Sequence, residues 1–475
     1  MSANETTVIA DATAENYQAF VTKKLAVVTR QGISGDLSGY ALKPHQSDLT
    51  AWALRRGCAA IFADTGLGKS RMQVAWADVV CKSRPGSEII ILAPLAVAGQ
   101  TVEEAAKVGV EVNYCREDSD VRPGINITNY DRIHKFDCSR FYGVVLDESS
   151  IIKHHAAKTL QTLLDAFREA PFKLCATATP APNDWTELGN HAEFLGVRSR
   201  AEMLAEFFVH DGGDTQTWRL KGHARQLFWK WVASWGAMIR SPADLGHDAS
   251  EYILPPLNVH QHTVELEHND AHGLFAMEAQ TLSERRDARK ASLVERVRAC
   301  AKVVNEDSQP WVVWCDLNAE GDALTAAIDG AVQISGSDDP DTKERRLHDF
   351  ANGNIRVLVS KPSICGFGLN WQHASRMAFV GVTDSFEAYY QAVRREWRFG
   401  QTKPVHVHVF ASNLEGAVVA NLKRKEREAQ AMADAMSAET LAAVRSEIFG
   451  FTKETNIYQP SRQVAIPAFL TKEAA

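Results

Sequence analysis

The sequence has no long hydrophobic run, and this absence excludes proteins that span a membrane. No apolar stretch approaches the roughly 18 to 20 residues that a helix needs to cross a bilayer. Residues 1–10 also lack the basic start and the apolar core of a signal peptide. We therefore expect a cytoplasmic protein that does not contact a membrane.

Cysteine is sparse, and its spacing argues against disulfide bonds and zinc sites. The eight cysteines are scattered through 475 residues, with no C-x-x-C pair and no cluster with histidine at the spacing of metal ligands.

An excess of positive charge is lacking as well, since the formal net charge is −7. This charge disfavours a protein that coats nucleic acid through bulk positive charge, although a local basic groove is compatible with an acidic molecule.

The length and composition indicate a folded protein of two or three domains. A single hydrophobic core stops growing at roughly 250 to 300 residues, and this chain has 475. Hydrophobic residues make up 45% and charged residues 23% of the chain. This balance is typical of globular proteins rather than of disordered or fibrous ones.

Short β-branched runs alternate with helical stretches in two separate series, which predicts an α/β fold with two parallel sheets. The first series comprises residues 59–62, 89–92, 124–127, 144–146 and 174–176. The second series comprises residues 311–314, 332–334, 357–360, 377–380 and 405–410. The segment between the two series is rich in aromatic residues, and we expect it to be mostly helical.

The two series divide the chain into five segments. These are an N-terminal extension (1–40), a first α/β domain (41–188), a helical insertion and connector (189–287), a second α/β domain (288–416) and a C-terminal helical tail (417–475). The tail opens with a charge-rich amphipathic stretch at 417–435, which predicts a helix.

A candidate phosphate-binding loop, A-D-T-G-L-G-K-S, runs from Ala63 to Ser70. It lies between an apolar strand and a helical stretch, which is the context in which a P-loop match is credible. Gly66 and Gly68 allow successive backbone N–H groups to point at phosphate oxygens. Lys69 would add a positive charge, and Ser70 would add a hydroxyl ligand for Mg²⁺. Ala63 replaces the first glycine of the usual pattern, and the alternative is a turn that ends in a surface lysine.

An apolar strand at 142–146 delivers two adjacent carboxylates, Asp147 and Glu148. A P-loop enzyme needs such a pair, because Asp147 can hold Mg²⁺ while Glu148 orients and deprotonates the attacking water. Adjacent carboxylates are also common on solvated loops. The apolar strand before them argues against that alternative.

Phosphoryl transfer also gains from a cation that a separate domain supplies. Residues 391–401 belong to the second α/β series and place Arg395 and Arg398 three residues apart, hence on one face of a helix. On its own this segment would be interpreted as a solvated basic helix. Its position in the second domain favours a role at the ATP site.

The order of these motifs resembles that of the superfamily 2 helicases of the DEAD/DEAH-box type, and in particular the Swi/Snf-like branch of DNA translocases. The likeness covers residues 42–422 and implies two RecA-like P-loop lobes joined by a helical connector. Residues 63–70 and 147–148 resemble the two nucleotide motifs of the family, and residues 391–401 resemble its arginine-finger motif. The long insertions of chromatin remodellers are absent, which implies a compact bacterial or phage-type member and a bacterial or phage-infected cytoplasm.

The resemblance also implies roles for individual residues. Gln46 resembles the glutamine with which the family recognises adenine. The nucleotide-binding set is then Gln46, Thr65, Gly66, Leu67, Gly68, Lys69 and Ser70, with Ser70 and Asp147 as Mg²⁺ ligands and Lys69, Glu148, Arg395 and Arg398 as catalytic residues. Residues expected to contact nucleic acid or to couple hydrolysis to movement are Pro94, Asn129, Tyr130, Thr177, Thr179, Ser360, Gly366, Gly368, Asn370 and Gln391.

Besides Ala63, three positions depart from the family pattern. Ser150 stands where the D-E-A-H motif has a histidine, which links ATP to later motifs, so we expect the coupling to differ. Arg394 and Trp397 replace the acid and the histidine that are usual in the arginine-finger motif.

The sequence therefore predicts a nucleic-acid-dependent ATPase that uses ATP and Mg²⁺ to move on DNA, by duplex tracking or by strand separation. RNA is the less favoured nucleic acid, and the sequence does not identify protein partners. A P-loop kinase is an alternative that leaves the second domain and its arginines without a role. A second alternative is a nucleotide-gated, non-catalytic scaffold that binds DNA, because Ser150 could have abolished coupling.

The eleven tryptophans admit two interpretations, base stacking or core packing. Trp229, Trp231 and Trp235 are interpreted as packing residues of the connector. Trp371 follows Asn370 and is the better candidate for a residue near a nucleic-acid strand, although core packing is favoured there too.

Overall fold

Two parallel β-sheets, each flanked by helices, form the frame of the molecule. The computed structural model describes residues 32–153, 158–182, 184–211, 214–265, 290–365, 370–380, 386–412 and 416–449. The strands are β1 (Cys58–Ala63), β2 (Glu88–Ala93), β3 (Val112–Tyr114), β4 (Gly124–Asn129), β5 (Gly143–Asp147), β6 (Phe172–Ala176), β7 (Phe208–Asp211), β8 (Asp214–Leu220), β9 (Gly236–Ile239), β10 (Leu257–Val264), β11 (Trp311–Trp314), β12 (Ala331–Ile334), β13 (Val357–Ser360), β14 (Arg376–Phe379) and β15 (Val405–Ser412).

The helices lie between the strands of each sheet and in the connector. They are α1 (Pro44–Arg56), α2 (Lys69–Ser83), α3 (Leu95–Ala106), α4 (Lys158–Ala166), α5 (Leu188–Phe194), α6 (Arg200–Phe207), α7 (Arg225–Trp235), α8 (Leu293–Asn305), α9 (Asn318–Ala327), α10 (Pro340–Ala351), α11 (Pro362–Cys365), α12 (Phe386–Val393) and α13 (Gly416–Phe449). Short 3-10 helices lie at Ser38–Tyr40, Asp118–Asp120, Tyr130–Lys135, Cys138–Arg140, Ser149–Ile152, Trp185–Glu187, Gly222–Ala224, Pro242–Leu245 and Ser250–Tyr252. Among the described helices, none has both the length and the apolar character that a membrane span requires.

The first sheet has the strand order β3-β4-β2-β5-β6-β1-β9, and the second has the order β10-β15-β14-β11-β13-β12. All the strand pairs within these two sheets are parallel. The central strands are almost continuously apolar and buried, as expected for sheets covered by helices on both faces. The predicted α/β fold with two RecA-like lobes is confirmed, and all ten predicted strands are present.

The connector differs from its prediction, because it contains strands as well as helices. β7 and β8 form an antiparallel hairpin. β9 pairs with β1 at the edge of the first sheet, and β10 pairs with β15 at the edge of the second. The second sheet therefore begins at Leu257, before the boundary at residue 288 that the sequence pattern suggested. β10 is partly exposed along its length, so it lacks the apolar run that identified the other strands.

The tryptophans of the connector and of the second lobe are packing residues. Trp229 and Trp235 are buried, and Trp231 packs against the same hydrophobic cluster. Trp371 is completely buried in the core of the second lobe, where its ring lies 5.2 Å from that of Phe350. The packing interpretation is confirmed for these four residues.

The long helix α13 follows β15 of the second lobe and packs against α7 and β9 of the first. Met436, Thr440, Val444 and Ile448 are buried and recur at four-residue spacing, so they form one face of the helix. Arg445 donates from Nε to the Asp244 carbonyl at 2.6 Å. One continuous element thus connects the two lobes, and it extends beyond the helix predicted for 417–435.

Candidate active site

The phosphate-binding loop leaves the carboxyl end of β1 and ends where α2 begins at Lys69. Gly66 and Gly68 have φ angles of +90° and +84°, in the left-handed region that favours glycine. A Cβ atom at Gly68 would lie 2.2 Å from Nε2 of Gln46, and one at Gly66 would lie 2.8 Å from Cβ of Phe399. Both glycines are therefore required by backbone conformation and by close neighbours.

Lys69 folds back onto the loop that precedes it. Its Nζ donates to the Ala63 carbonyl at 3.0 Å and lies 3.5 Å from the Asp64 carbonyl. Burial lowers the pKa of Lys69, and the carboxylates of Glu148 and Asp147 act against that shift. The ammonium group of Lys69 therefore interacts electrostatically with both predicted acidic residues, Asp147 and Glu148.

Gln46 also contacts the loop directly. Its Nε2 donates to the Leu67 carbonyl at 3.1 Å, and its Oε1 accepts from the backbone N–H of Lys43 at 3.0 Å. Thr65 and Ser70 lie at the start and the end of the same loop and are partly exposed. The structure thus brings the seven residues of the predicted nucleotide-binding set together around one turn.

Asp147 is the last residue of β5 and is buried beside the loop. Its Oδ1 accepts from Nε2 of Gln73 on α2 at 2.6 Å, and its backbone carbonyl accepts from the Tyr130 hydroxyl at 2.6 Å. Burial and the neighbouring Glu148 carboxylate raise the pKa of Asp147 to about 6. Gln73 thus positions the Asp147 carboxylate. The sequence pattern did not identify Gln73, because its only signal is its place about one turn after the start of α2.

Glu148 has a φ angle of +51° and a ψ angle of +51°. A residue with a side chain rarely adopts this left-handed conformation, and such strain is concentrated at functional sites. Its Oε2 is buried and has no hydrogen-bond partner among the described residues. A buried carboxylate oxygen of this kind is suited to accept a hydrogen bond from a water molecule.

Arg395 and Arg398 come from the second lobe, just beyond the end of α12. Burial lowers the pKa of Arg395 to about 9 and that of Arg398 to about 10, and for both residues the Glu148 carboxylate opposes the shift. The two guanidinium groups therefore lie close enough to Glu148 to interact with it electrostatically. The structure brings together charges that are 326 residues apart along the chain, counted from Lys69 to Arg395.

A chain of hydrogen bonds also connects the lobes beside this cluster. Gln391 is buried, and its Nε2 donates to Oγ1 of Thr179 in the first lobe at 3.4 Å. Its Oε1 accepts from Nη2 of Arg395 at 3.3 Å. Oγ1 of Thr177 accepts from the backbone N–H of Thr179 at 3.2 Å. Three residues predicted to couple hydrolysis to movement are thus connected to a predicted catalytic arginine.

The remaining residues predicted to contact nucleic acid lie in different environments. Tyr130, Asn129 and Ser360 are buried, and their side chains bond to the protein itself. Pro94 precedes α3, and Asn370 lines a cleft of about 390 Å³ between α3 and α10. Gly366 and Gly368 lie outside the described residues. The cleft is lined by residues of both lobes, and three of them are glutamates, Glu103, Glu104 and Glu344.

The residues at this site fit a nucleotide with its magnesium ion. Positive φ angles at both loop glycines and the start of α2 at Lys69 match an anion-binding turn at a helix N-terminus. Mg²⁺ is usually held by one or two carboxylates together with substrate phosphates. Asp147 and Ser70 would supply the protein ligands, and the unpartnered oxygen of Glu148 remains available for water.

Comparisons with known proteins extend these observations. The helicase conserved C-terminal domain family matches residues 306–400. The bifunctional helicase and thymine dioxygenase JBP2 of Leishmania braziliensis is 31% identical over 97 residues, which cover 20% of this chain and 9% of that protein. The SWI2/SNF2 ATPase core of Sulfolobus solfataricus, solved in complex with dsDNA, has a TM-score of 0.39 and 16% identity, covering 89% of this chain and 98% of that chain.

The domain match falls on the second lobe. Residues 306–400 begin before β11 and include both Arg395 and Arg398. The predicted resemblance to the helicases is confirmed by this match.

Proposed function

We propose that this protein is a nucleic-acid-dependent ATPase that couples ATP hydrolysis to movement on DNA. The observation that carries the proposal is the contact across the lobe interface, in which Gln391 bonds both to Thr179 of the first lobe and to Arg395 of the second, with Glu148 near enough to Arg395 and Arg398 to affect their pKa values. A hydrolase that worked within one domain would have no need of this arrangement. Because the site is divided between two lobes, opening or closing of the lobes would change the distance between the arginines and Glu148.

The first lobe would bind and orient the substrate. The backbone N–H groups of residues 66–70 would hold the phosphates at the N-terminus of α2. Lys69 would exchange its present contact with the Ala63 carbonyl for a phosphate oxygen. Mg²⁺, when bound, supplies positive charge that offsets charge on the phosphates. Asp147, held by Gln73 at 2.6 Å, is the carboxylate best placed to retain the metal.

Glu148 would act as the general base. Its strained backbone and its unpartnered Oε2 present a carboxylate oxygen to a water molecule that attacks the terminal phosphate. Arg395 and Arg398 would stabilise negative charge that develops on the transferred group. Their approach depends on lobe closure, so hydrolysis would be fast only in the closed state.

The chain Thr179, Gln391 and Arg395 would carry the coupling. When phosphate leaves, the arginines lose their anionic partner and the contact between the lobes weakens. Loops that hold the nucleic-acid backbone in each lobe would then separate and advance in turn. Such contacts hold phosphates without reading sequence, so binding should weaken as salt is added.

DNA is the favoured track. The order and spacing of the motifs resemble the Swi/Snf-like branch, which often moves on duplex DNA without separating the strands. The Leishmania relative is named as a helicase and a thymine dioxygenase, and thymine is a base of DNA.

A non-catalytic scaffold is the second candidate, and Ser150 is the observation that favours it. The histidine expected at that position is missing, so nucleotide binding could be retained without coupled hydrolysis. Comparison of the parent with Glu148→Gln distinguishes the two candidates. A scaffold would bind nucleotide in both forms and hydrolyse it in neither.

The decisive experiment measures steady-state ATP hydrolysis at low salt with no nucleic acid, single-stranded DNA, duplex DNA and RNA in parallel. Duplex DNA should raise the rate most. Lys69→Ala and Glu148→Gln should each lower the stimulated rate by about 100-fold or more. Lys82→Ala, a change at an exposed lysine of the same helix, is the matched control and should behave like the parent.

Two results would contradict the proposal. If none of the nucleic acids raised the ATPase rate, the motor would be excluded. If RNA stimulated more strongly than both forms of DNA, ATP hydrolysis would stand and the assignment of DNA as the track would be wrong.

A further inference from the structure

Asp64, the second residue of the phosphate-binding loop, accepts hydrogen bonds from both lobes. Its Oδ1 accepts from the backbone N–H of Thr65 at 2.6 Å and from the Tyr390 hydroxyl at 3.1 Å. Its Oδ2 accepts from Nη2 of Arg394 at 3.2 Å. A carboxylate of the first lobe is thus held by two side chains of the second.

The two donors share one face of the second lobe. Tyr390 and Arg394 are four residues apart, and the Arg394 backbone N–H donates to the Tyr390 carbonyl at 3.0 Å, so both side chains project in the same direction. The Arg394 guanidinium lies 5.1 Å from the centre of the Tyr390 ring and 4.8 Å from that of Trp397. Trp397 in turn donates from Nε1 to the Pro255 carbonyl at 2.8 Å. Packing on both rings restricts where the guanidinium can point.

Arg394 therefore differs in direction from the two arginines that follow it. It projects towards the base of the phosphate-binding loop, while Arg395 and Arg398 interact with Glu148. The Asp64 backbone N–H also donates to the Ile239 carbonyl of β9 at 3.1 Å, so the loop residue that Arg394 contacts is anchored to the first sheet. A loop residue bonded to the first sheet thus faces an arginine packed against two aromatic rings of the second lobe.

Charge gives this contact a second consequence. Asp64 would place a negative charge beside bound phosphates, and such a charge would oppose nucleotide binding unless a cation offset it. The cation comes from the second lobe, so the charge is offset when the lobes are closed. Arg394, which departs from the family pattern, thus has a partner in the phosphate-binding loop.

We propose that Asp64, Tyr390 and Arg394 form an interlobe clasp that positions Arg395 and Arg398 beside Glu148. The proposal rests on the proposed ATPase function for its catalytic consequence. The clasp itself is a structural contact, and its presence can be measured without hydrolysis.

The test uses single and double variants of the full chain. Arg394→Gln removes the cation, Asp64→Asn removes the anion while keeping an oxygen for Thr65 and Tyr390, and the double variant removes both charges. Arg394→Lys restores the positive charge. Arg116→Gln is the matched control. Arg116 forms an ion pair with Asp341 between the lobes at 3.1 Å, and the side chains of both residues are exposed.

Two quantities are measured for each variant. The first is kcat and KM for ATP with saturating duplex DNA, and the second is energy transfer between dyes attached to the two lobes, without DNA. Thermal unfolding confirms that each variant is folded. Each single removal of charge should lower kcat by about tenfold, with a change in KM below about threefold, since a buried pair typically couples by this amount.

The double variant should be no slower than the slower single variant, because both changes break the same contact. Arg394→Lys should recover part of the lost kcat. Energy transfer should fall for Arg394→Gln and Asp64→Asn, and it should stay at the parent value for Arg116→Gln.

The clasp would be overturned if the two single variants acted independently, so that their effects on kcat multiplied in the double variant. It would also be overturned if the energy transfer of Arg394→Gln and Asp64→Asn equalled that of Arg116→Gln. If the parent itself hydrolysed no ATP, the proposed function would fail, and the energy-transfer measurement would still decide whether the clasp exists.

Discussion

Asp147 should cost stability in the nucleotide-free protein, and its replacement by asparagine should therefore stabilise the fold at neutral pH. The carboxyl group is only 4% exposed. Burial and the adjacent Glu148 raise its pKa from 3.8 to about 6. Asparagine keeps an oxygen that can accept from Gln73 and leaves the backbone bond to Tyr130 unchanged, so the main change is the loss of charge.

The magnitude follows from the difference between the two pKa values. Because the folded pKa is the higher one, the folded state binds the proton more tightly than the unfolded chain does. The stabilising contribution of that proton is present below the unfolded pKa of 3.8 and is lost as the pH rises through about 6. A difference of about two pH units corresponds to about 3 kcal/mol.

Urea unfolding in the presence of a chelator, at a series of pH values from 4 to 8, measures this contribution. Asp147→Asn should exceed the parent in stability by up to about 3 kcal/mol above pH 7, and the difference should shrink towards pH 4. Asp165→Asn, at a carboxylate that is 72% exposed on α4, is the control and should change little at any pH.

Either of two outcomes would refute this reasoning. Asp147→Asn could be no more stable than the parent at pH 7, or its advantage could be the same at pH 4 and pH 7. In the first case burial would not penalise the charge, and in the second the effect would come from packing rather than from titration.

Three further predictions concern the second lobe, the phosphate-binding loop and the track. Arg296 and Glu320 form a completely buried ion pair at 2.9 Å, so Glu320→Ala should lower the unfolding free energy of the second lobe by about 3–5 kcal/mol. Asp341→Ala, at an exposed pair of the second lobe, should lower it by less than about 1 kcal/mol in the same urea titration. Gly68→Ala should abolish binding of a fluorescent ATP analogue, whereas Gly86→Ala, which has a similar φ of +83° but no neighbour within 4 Å, should bind like the parent. The concentration of duplex DNA that gives half-maximal ATPase stimulation should rise steeply between about 50 and 200 mM salt, and a constant value would indicate that phosphate contacts do not hold the track.

The sheets were predictable because their strands are buried on both faces. Runs such as Ile89 to Leu92 and Trp311 to Trp314 are continuously apolar, and each is a strand in the structure. The edge strands β9 and β10 were missed for two different reasons. β9 is buried but has only four residues and follows directly on α7. β10 is partly exposed, and five of its eight residues are polar. Pairing with a distant strand determines such edges, and local pattern does not reveal it.

The candidate site was predictable where a motif is contiguous. The loop from Ala63 to Ser70 and the pair Asp147 and Glu148 each occupy one short segment. The contact between Asp64 and Arg394 could not be inferred, because an acid in one lobe and an arginine in the other acquire meaning only when folding brings them within 3.2 Å. The same holds for Gln73, whose role depends on the packing of α2 against β5.

The missing histidine at Ser150 acquires a structural context that the sequence alone did not provide. His191, on α5, is completely buried, and its Nε2 lies 3.1 Å from Oγ of Ser149. Burial lowers its pKa to about 4, so the imidazole is neutral at physiological pH. Asn190, the preceding residue, donates from Nδ2 to the carbonyls of Ile152 at 2.9 Å and Lys153 at 2.6 Å.

Through these bonds, helix α5 holds the segment that follows Glu148. This helix lies where the first lobe meets the connector. A family histidine acts from within the acidic motif, whereas here an imidazole reaches the motif from α5. A neutral, buried imidazole contributes hydrogen bonding rather than charge, so it can restrain the side chain of Ser149 without competing with Arg395 and Arg398 for the Glu148 carboxylate. His191 and Asn190 therefore support the acidic segment although Ser150 carries no imidazole, which agrees with the coupled ATPase that we propose.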